Sequence, residues 1–397
     1  MIARNRDIDH LLSFKDTNII KVVTGIRRCG KSTLLEQFRE RLLQDGVPEQ
    51  NTIAINFEDA AFSFIDTWQK LHDYVTARLQ KDCKNYVFLD EVQSVPQFQR
   101  AVDSLFLKPS CDIYITGSNA YLLSGELATL LSGRYVEIHL LPLSFAEYVG
   151  AFPDERSLTR LYRNYLEFSS FPYTLQLHSD SRLVNEYLSG IYNTVLLKDI
   201  VARRGIADIP QLESIIRFMA DNIGNLCSVK KIADTMTSDG RKISTHTVES
   251  YLDALCSSFI LYRTTRFDIK GRQYLKSGEK YYLCDMGLRR FLLGAKFIDR
   301  GFVLENVVYL ELLRRGYKVY IGKVGTYEID FIAERQGMTE YYQVCESMHD
   351  EETRNRELRA LQEVKDHNPK YVITLDDESV TDYNGIKQLY ALDWLLG

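Results

Sequence analysis

The sequence predicts an α/β protein, with a parallel sheet sandwiched by helices over residues 1–150, a helical connector over 151–207, a winged helix-turn-helix over 208–295 and a smaller α/β module over 296–397. Three observations carry that expectation. An apolar strand runs straight into a glycine-rich loop and an amphipathic segment between Ile19 and Leu42. Strand-like and helix-like segments then alternate up to Asn119. After Asp208 the apolar period changes twice, first to helical spacing and then to a shorter α/β pattern.

The first strand is Ile19–Thr24 (IIKVVT), and the loop Gly25–Ser32 (GIRRCGKS) satisfies G-x-x-x-x-G-K-[ST]. Two glycines at these places let backbone N–H groups close around phosphate oxygens, and the following helix turns its positive end toward them. Lys31 is expected to reach the β- and γ-phosphates and Ser32 to ligate Mg²⁺. Leu34, Leu35, Phe38 and Leu42 give that helix one buried face. The expected nucleotide-binding set is Gly25, Arg28, Cys29, Gly30, Lys31, Ser32 and Thr33.

Global composition sets limits. At 397 residues the chain suggests more than one domain, and 45% hydrophobic with 26% charged residues is ordinary for a globular protein. The net charge of −5 gives no global basic field, so any nucleic-acid contact must be local. The 7 cysteines include no C-x-x-C pair, which argues against a disulfide framework or zinc ribbon and fits a reducing compartment. Met1–Asp7 has no apolar signal segment, and no apolar run approaches the roughly 18 residues of a spanning helix. A cytoplasmic protein without a membrane partner is expected.

Further along, Thr52–Phe57 reads as a strand, Trp68–Gln80 as a helix and Tyr86–Leu89 as a buried strand. Asp90 and Glu91 follow at once: Asp90 is placed to hold the Mg²⁺ shell and Glu91 to polarise an attacking water. Phe98, Val102, Leu105 and Phe106 mark the next helix, and Asp112–Thr116 the next strand. After it, Ser118 and Asn119 are positioned either to sense the γ-phosphate or to cap a helix. Arg134 is either a cation for the transferring phosphoryl group, in its own site or a neighbour's, or a surface residue.

The strings Gly25–Thr33 (GIRRCGKST), Leu89–Gln93 (LDEVQ), Thr116–Asn119 (TGSN), Ser132–Tyr135 (SGRY) and Pro142–Phe145 (PLSF) together resemble the AAA-type P-loop ATPases of bacteria and archaea. In that family the ATPase is fused to a C-terminal domain of unknown function. The resemblance continues through Tyr192–Asp199 (YNTVLLKD), Leu304–Asn306 (LEN) and Glu328–Phe331 (EIDF), and it implies ATP and Mg²⁺ as cofactors. One departure is Ser169–Ser170, where the family usually has paired glycines.

From Asp208, three helical stripes (Leu212 to Ile223, Val229 to Met236, Val248 to Leu255) precede two strand signals at Phe259–Tyr262 and Lys280–Leu283. That order reads as a winged helix-turn-helix. Its segment 263–276 carries Arg263, Arg266, Lys270, Arg272 and Lys276 against Asp268, a local cationic wing suited to DNA phosphates. Glu249 and Asp253 on the third helix oppose that reading, and a lid or protein dock is the alternative.

The last module places Glu305 on a helix and Glu328 and Asp330 on one face of a strand, followed by Gln343 and Cys345 on the next strand. This segment resembles the PD-(D/E)xK nuclease superfamily, in which carboxylates hold a divalent ion and a lysine positions water. Glu305 and Asp330 are the corresponding metal candidates. Gln343 and Cys345 stand where that resemblance calls for a carboxylate and a lysine, so a retained fold without nuclease activity is expected. The expected function is ATP hydrolysis coupled to rearrangement of the winged-helix and nuclease-like modules, on DNA or with a protein partner. The alternatives are a nucleotide-loaded switch with little turnover and an ATP-gated nuclease; an oligomer is compatible with each.

Overall fold

The structure, a computed structural model, describes residues 2–117, 133–195, 200–201, 206, 208–294, 300–377 and 381–397. It divides into two compact units, residues 1–141 with 257–259, and residues 142–256 with 260–397.

The first unit is built on five strands: β1 (Ile20–Thr24), β2 (Thr52–Asn56), β3 (Asn85–Asp90), β4 (Cys111–Gly117) and β5 (Tyr135–His139). Every pairing is parallel, in the order β2-β3-β4-β1-β5. β1 and β3 are buried along their whole length, as strands covered on both faces must be. One face packs Val22, Val87, Leu89 and Ile115 against Leu71 of helix Trp68–Thr76 and Val102 of helix Phe98–Phe106. On the other face Phe38, from helix Lys31–Gln44, meets the rings of Phe88 and Tyr114. The α/β class and parallel sheet are thus as the sequence implied, and the strands expected near 19–24, 52–57, 86–89 and 112–116 are β1 to β4. β5 had no counterpart in the sequence reading.

The second unit begins with helices Phe145–Gly150, Leu158–Phe168 and Ser181–Thr194. Helices Ile209–Asp221, Val229–Ser238 and Thr245–Ser257 follow, then the hairpin β6 (Leu261–Asp268) and β7 (Gln273–Leu283). Both hairpin strands are longer than their apolar signals. After helices Met286–Leu293 and Arg300–Arg314 come β8 (Lys318–Val324), β9 (Tyr327–Arg335) and β10 (Met338–Val344). Helix Glu351–Gln362, β11 (Lys370–Thr374), β12 (Thr381–Tyr383) and β13 (Ile386–Tyr390) complete the unit, ahead of a short helix Ala391–Leu396.

β6 pairs in parallel with β8, Arg266 opposite Ile321 and Asp268 opposite Lys323. The hairpin expected as a wing and the strands of the last hundred residues therefore belong to one eight-stranded sheet, in the order β12-β13-β11-β10-β9-β8-β6-β7. Among the described residues no helix is long and apolar enough to cross a membrane.

The Ser169–Ser170 pair has a clear structural role. Ser169 takes φ 77° and ψ 155°, a region that glycine occupies freely and other residues at a cost of about 1–3 kcal/mol. Ser170 donates through its N–H and its hydroxyl to the buried Asp285 at 2.7 and 2.6 Å, and Asp285 also caps helix Met286–Leu293 by accepting from the Leu288 N–H. The turn lies so close to that helix that a Cβ on Gly287 would stand 2.5 Å from the Ser169 Cα. Backbone blocks the added methyl, so Gly287→Ala is expected to lower unfolding free energy by about 1–3 kcal/mol in urea denaturation. Stability equal to wild type would show that the turn yields freely.

Candidate nucleotide site

β1 leads directly into the phosphate loop. Gly25 sits at φ 150°, and a Cβ there would lie 2.2 Å from the Leu140 carbonyl oxygen, so only glycine fits. Gly30, at φ 107°, is the N-cap of helix Lys31–Gln44, and its carbonyl accepts the Leu34 N–H at 2.9 Å. Lys31 is buried and donates to the carbonyls of Gly25 and Ile26 at 3.1 and 3.3 Å, which holds its ammonium along the loop. Arg28 is exposed with φ 68°. Cys29 is fully buried, and burial pushes its thiol upward, so it is a packing residue of the loop.

Sequence reasoning missed what supports the loop from behind. Arg4, itself buried, donates to the Cys29 carbonyl at 2.8 Å and to the Leu141 carbonyl at 3.3 Å, bracing loop and chain exit together. Gln37 accepts from the Arg4 N–H at 3.3 Å and donates to the Ile2 carbonyl at 2.6 Å. A single arginine near the start of a chain carries no periodic or motif signal that could have singled it out.

Asp90 ends β3, and Glu91 follows in the left-handed region at φ 53°. β4 lies between β3 and β1, and from it the Thr116 hydroxyl donates to Asp90 Oδ1 and accepts the Glu91 N–H at 2.9 Å. Ser32, in the first turn of the loop helix, also acts on Asp90 by lowering its pKa. Burial raises the Asp90 pKa, the Thr116 hydrogen bond and Ser32 pull it down, Glu91 adds to the rise and Lys31 opposes it. Gln93 donates to a Glu91 carboxylate oxygen. Lys31, Ser32, Asp90 and Glu91 are thus gathered at one end of the sheet. A serine hydroxyl beside a carboxylate is the hard oxygen donor set that Mg²⁺ prefers, with waters completing its shell.

Other expected residues fall elsewhere. Ser118 and Asn119 lie outside the described residues. Arg134 precedes β5, where its carbonyl accepts the Ile20 N–H at 2.9 Å and its guanidinium sits 5.6 Å from the centre of the Phe106 ring. β1 and β5 run parallel, with Ile20 opposite Tyr135 and Thr24 opposite His139. Arg134 therefore stands at the end of the sheet away from the phosphate loop, about 13 Å down the strand, and is not brought to the loop of its own chain.

In the hairpin, Arg263 pairs with Asp253 at 2.5 Å and Glu279 at 3.6 Å, and Lys270 lies 3.9 Å from Glu363. Part of the cationic segment is thus offset by acids. Glu305 and Asp330 do converge, together with Glu328, on the ammonium of Lys280.

The Thr116 hydroxyl is an easily tested element. Thr116→Val keeps the shape but strands a buried carboxylate and a backbone N–H, and is expected to lower stability by about 1–3 kcal/mol in urea denaturation, with Thr116→Ser close to wild type. Equal loss in both variants would point to packing instead.

Comparison with known proteins fits this geometry. A family profile described as AAA domain matches residues 17–149, and one described as Domain of unknown function (DUF8612) matches residues 159–298. An uncharacterized protein of Haemophilus influenzae is 41% identical over 400 residues, covering 100% of this chain and 99% of that protein. The uncharacterized protein MJ1544 of Methanocaldococcus jannaschii is 30% identical over 378 residues, covering 91% and 82% respectively. The Walker-type ATPase PABY2304 of Pyrococcus abyssi has a similar fold, with a TM-score of 0.51 and 17% identity over 74% of this chain and 96% of that one. The chain belongs to the family that the Haemophilus and Methanocaldococcus proteins represent, in which an AAA-type P-loop domain is followed by a domain of unknown function.

Proposed function

We propose that the chain is a Mg²⁺-dependent ATP hydrolase that passes its nucleotide state to the helical and β-sheet unit of residues 142–256 and 260–397. The observation that carries this reading is the Thr116 hydroxyl joining Asp90 to the Glu91 backbone, with Ser32 near enough to lower the Asp90 pKa. When bound, MgATP supplies the labile γ-phosphoryl group and a metal charge that offsets the phosphates.

The protein's own groups divide the work. Gly25 and Gly30 let the loop close on phosphate oxygens, and Lys31 turns from the loop carbonyls to the β- and γ-phosphates. Asp90 and Ser32 hold the metal shell, and the Glu91 carboxylate orients the attacking water and takes its proton. Arg134, given its place at the far end of β1 and β5, serves a neighbouring copy's site in this reading. The hairpin β6–β7 and the nuclease-like strands act as the element that meets a partner, protein or DNA.

Steady-state hydrolysis by wild type and Glu91→Gln tests the reading. The variant is expected to bind ATP normally and to lose at least about 100-fold in turnover, the usual weight of a positioned general base. Turnover that survives Glu91→Gln would overturn the assignment, and negligible turnover in wild type would favour a nucleotide-loaded switch. Adding DNA to the same assay separates the partners, because only a nucleic-acid-coupled enzyme is accelerated.

Mixing Arg134→Ala with Glu91→Gln tests the neighbour. Partial recovery of activity is expected if one copy supplies Glu91 and the other Arg134, and none if each site is self-contained.

A further inference from the structure

Lys280 is a buried cation of the second unit. It projects from β7, is 3% exposed, and has three carboxylate oxygens around its ammonium: Glu305 Oε1 at 3.0 Å, Glu328 Oε1 at 3.0 Å and Asp330 Oδ1 at 3.6 Å. Tyr282, two residues further on β7, donates to the same Glu305 oxygen at 2.7 Å. The second Asp330 oxygen accepts the Val344 N–H at 2.8 Å. Gln343 accepts from the Asp330 N–H at 3.4 Å and donates to Glu357 at 2.8 Å, so its amide is engaged beside the cluster.

A buried ammonium without partners would lose its proton. Here burial works against the charge, but Glu305, Asp330 and Glu328 outweigh it and hold Lys280 above the ordinary lysine range. Asp330 is also pushed up, to about 8, by burial and by the neighbouring Glu305. The two glutamate contacts have the spacing of hydrogen bonds to an ammonium, and the Asp330 contact is a longer ion pair. Divalent ions sit about 2.0–2.6 Å from carboxylate oxygens, closer than any of these contacts. Among the described residues no group of three or more His, Cys, Asp or Glu side chains is arranged to hold a metal ion.

We propose that Lys280 is the resident cation of this cluster: its ammonium fills the place of a divalent metal among Glu305, Glu328 and Asp330, keeps Mg²⁺ and Mn²⁺ out, and yields to them once it is removed. The charge balance supports this. A single ammonium does not offset the mutual repulsion of the three acids, which favours protonation of Asp330, and a divalent ion would compensate them better once Glu305 and Glu328 move inward by about 1 Å. The lysine comes from a strand more than sixty residues before Cys345, so the thiol at Cys345 leaves no cationic role unfilled. Nothing here depends on whether the nucleotide site turns over.

Mn²⁺ binding to the full-length chain without nucleotide, followed by electron paramagnetic resonance and calorimetry, tests the proposal. Wild type and Glu305→Gln are expected to titrate alike, and Lys280→Met to gain one site with a Kd of roughly 10⁻³ M or tighter, the weak end of carboxylate cation sites. Lys280→Met/Glu305→Gln should lose the gained site. Mn²⁺ binding by wild type that Glu305→Gln or Asp330→Asn abolishes would overturn the proposal, as would a folded Lys280→Met that gains no site. If Lys280→Met does not fold, Lys280→Gln, which removes the charge but keeps a hydrogen-bonding side chain and all three acids, takes its place with the same expected gain.

Discussion

The hydroxyl of Thr116 ties together the strands that carry the candidate nucleotide site. β4 separates β3 from β1, so the acid pair and the phosphate loop rise from strands roughly 10 Å apart. A hydroxyl can accept and donate at once, and Thr116 does both: it takes the Glu91 N–H and gives its own proton to Asp90. The first bond fixes Glu91 in a left-handed conformation that costs a side-chain-bearing residue about 1–2 kcal/mol. The second keeps a buried Asp90 as an acceptor even though desolvation favours its protonated form. Ser32, in the first turn of the loop helix, adds to the pull that lowers the Asp90 pKa. The central strand's hydroxyl thus ties the Asp90 carboxylate and the Glu91 backbone to β4, while Gln93 holds the Glu91 carboxylate.

How much of this was legible in the sequence follows from how local each feature is. The phosphate loop and the Asp90–Glu91 pair were readable because each is a contiguous string whose chemistry sets its own residue types. Arg4 and Thr116 act on residues 25 and 26 positions away, respectively, and such distances leave no mark on local pattern. Arg134 shows a further limit: its residue type was readable, but which end of the sheet it occupies depends on the parallel pairing of β1 with β5. The β6–β7 hairpin was legible as a hairpin; its continuation onto β8 was not, because parallel pairing across fifty residues depends on edge hydrogen bonds that no composition records.

That continuation changes what the motif Leu304–Asn306 does. β7 is the edge of the eight-stranded sheet, and an edge strand exposes backbone groups that must be paired or covered. Asn306 covers one such place with a two-bond clamp, accepting the Leu283 N–H and donating to the Leu283 carbonyl, both at 2.8 Å. Glu305, its neighbour in sequence, takes Lys280 and Tyr282 from the same strand. One helical turn thus engages Lys280, Tyr282 and Leu283 of β7 by side-chain chemistry, and a slip of one residue would break every contact.

The energetics of the Lys280 cluster suit such a registry role better than a purely stabilising one. Buried ion pairs return little net free energy against a well-packed apolar alternative, because desolvation offsets the attraction, yet removing one partner typically costs about 3–5 kcal/mol. An arrangement that gains little when correct and loses much when wrong discriminates between registers. It does so here for the strand that joins the helical half of the second unit to its C-terminal sheet. Glu305, Glu328 and Asp330 are the counterions of a buried lysine of β7, and a shift of that strand by one residue would turn the lysine away from all three.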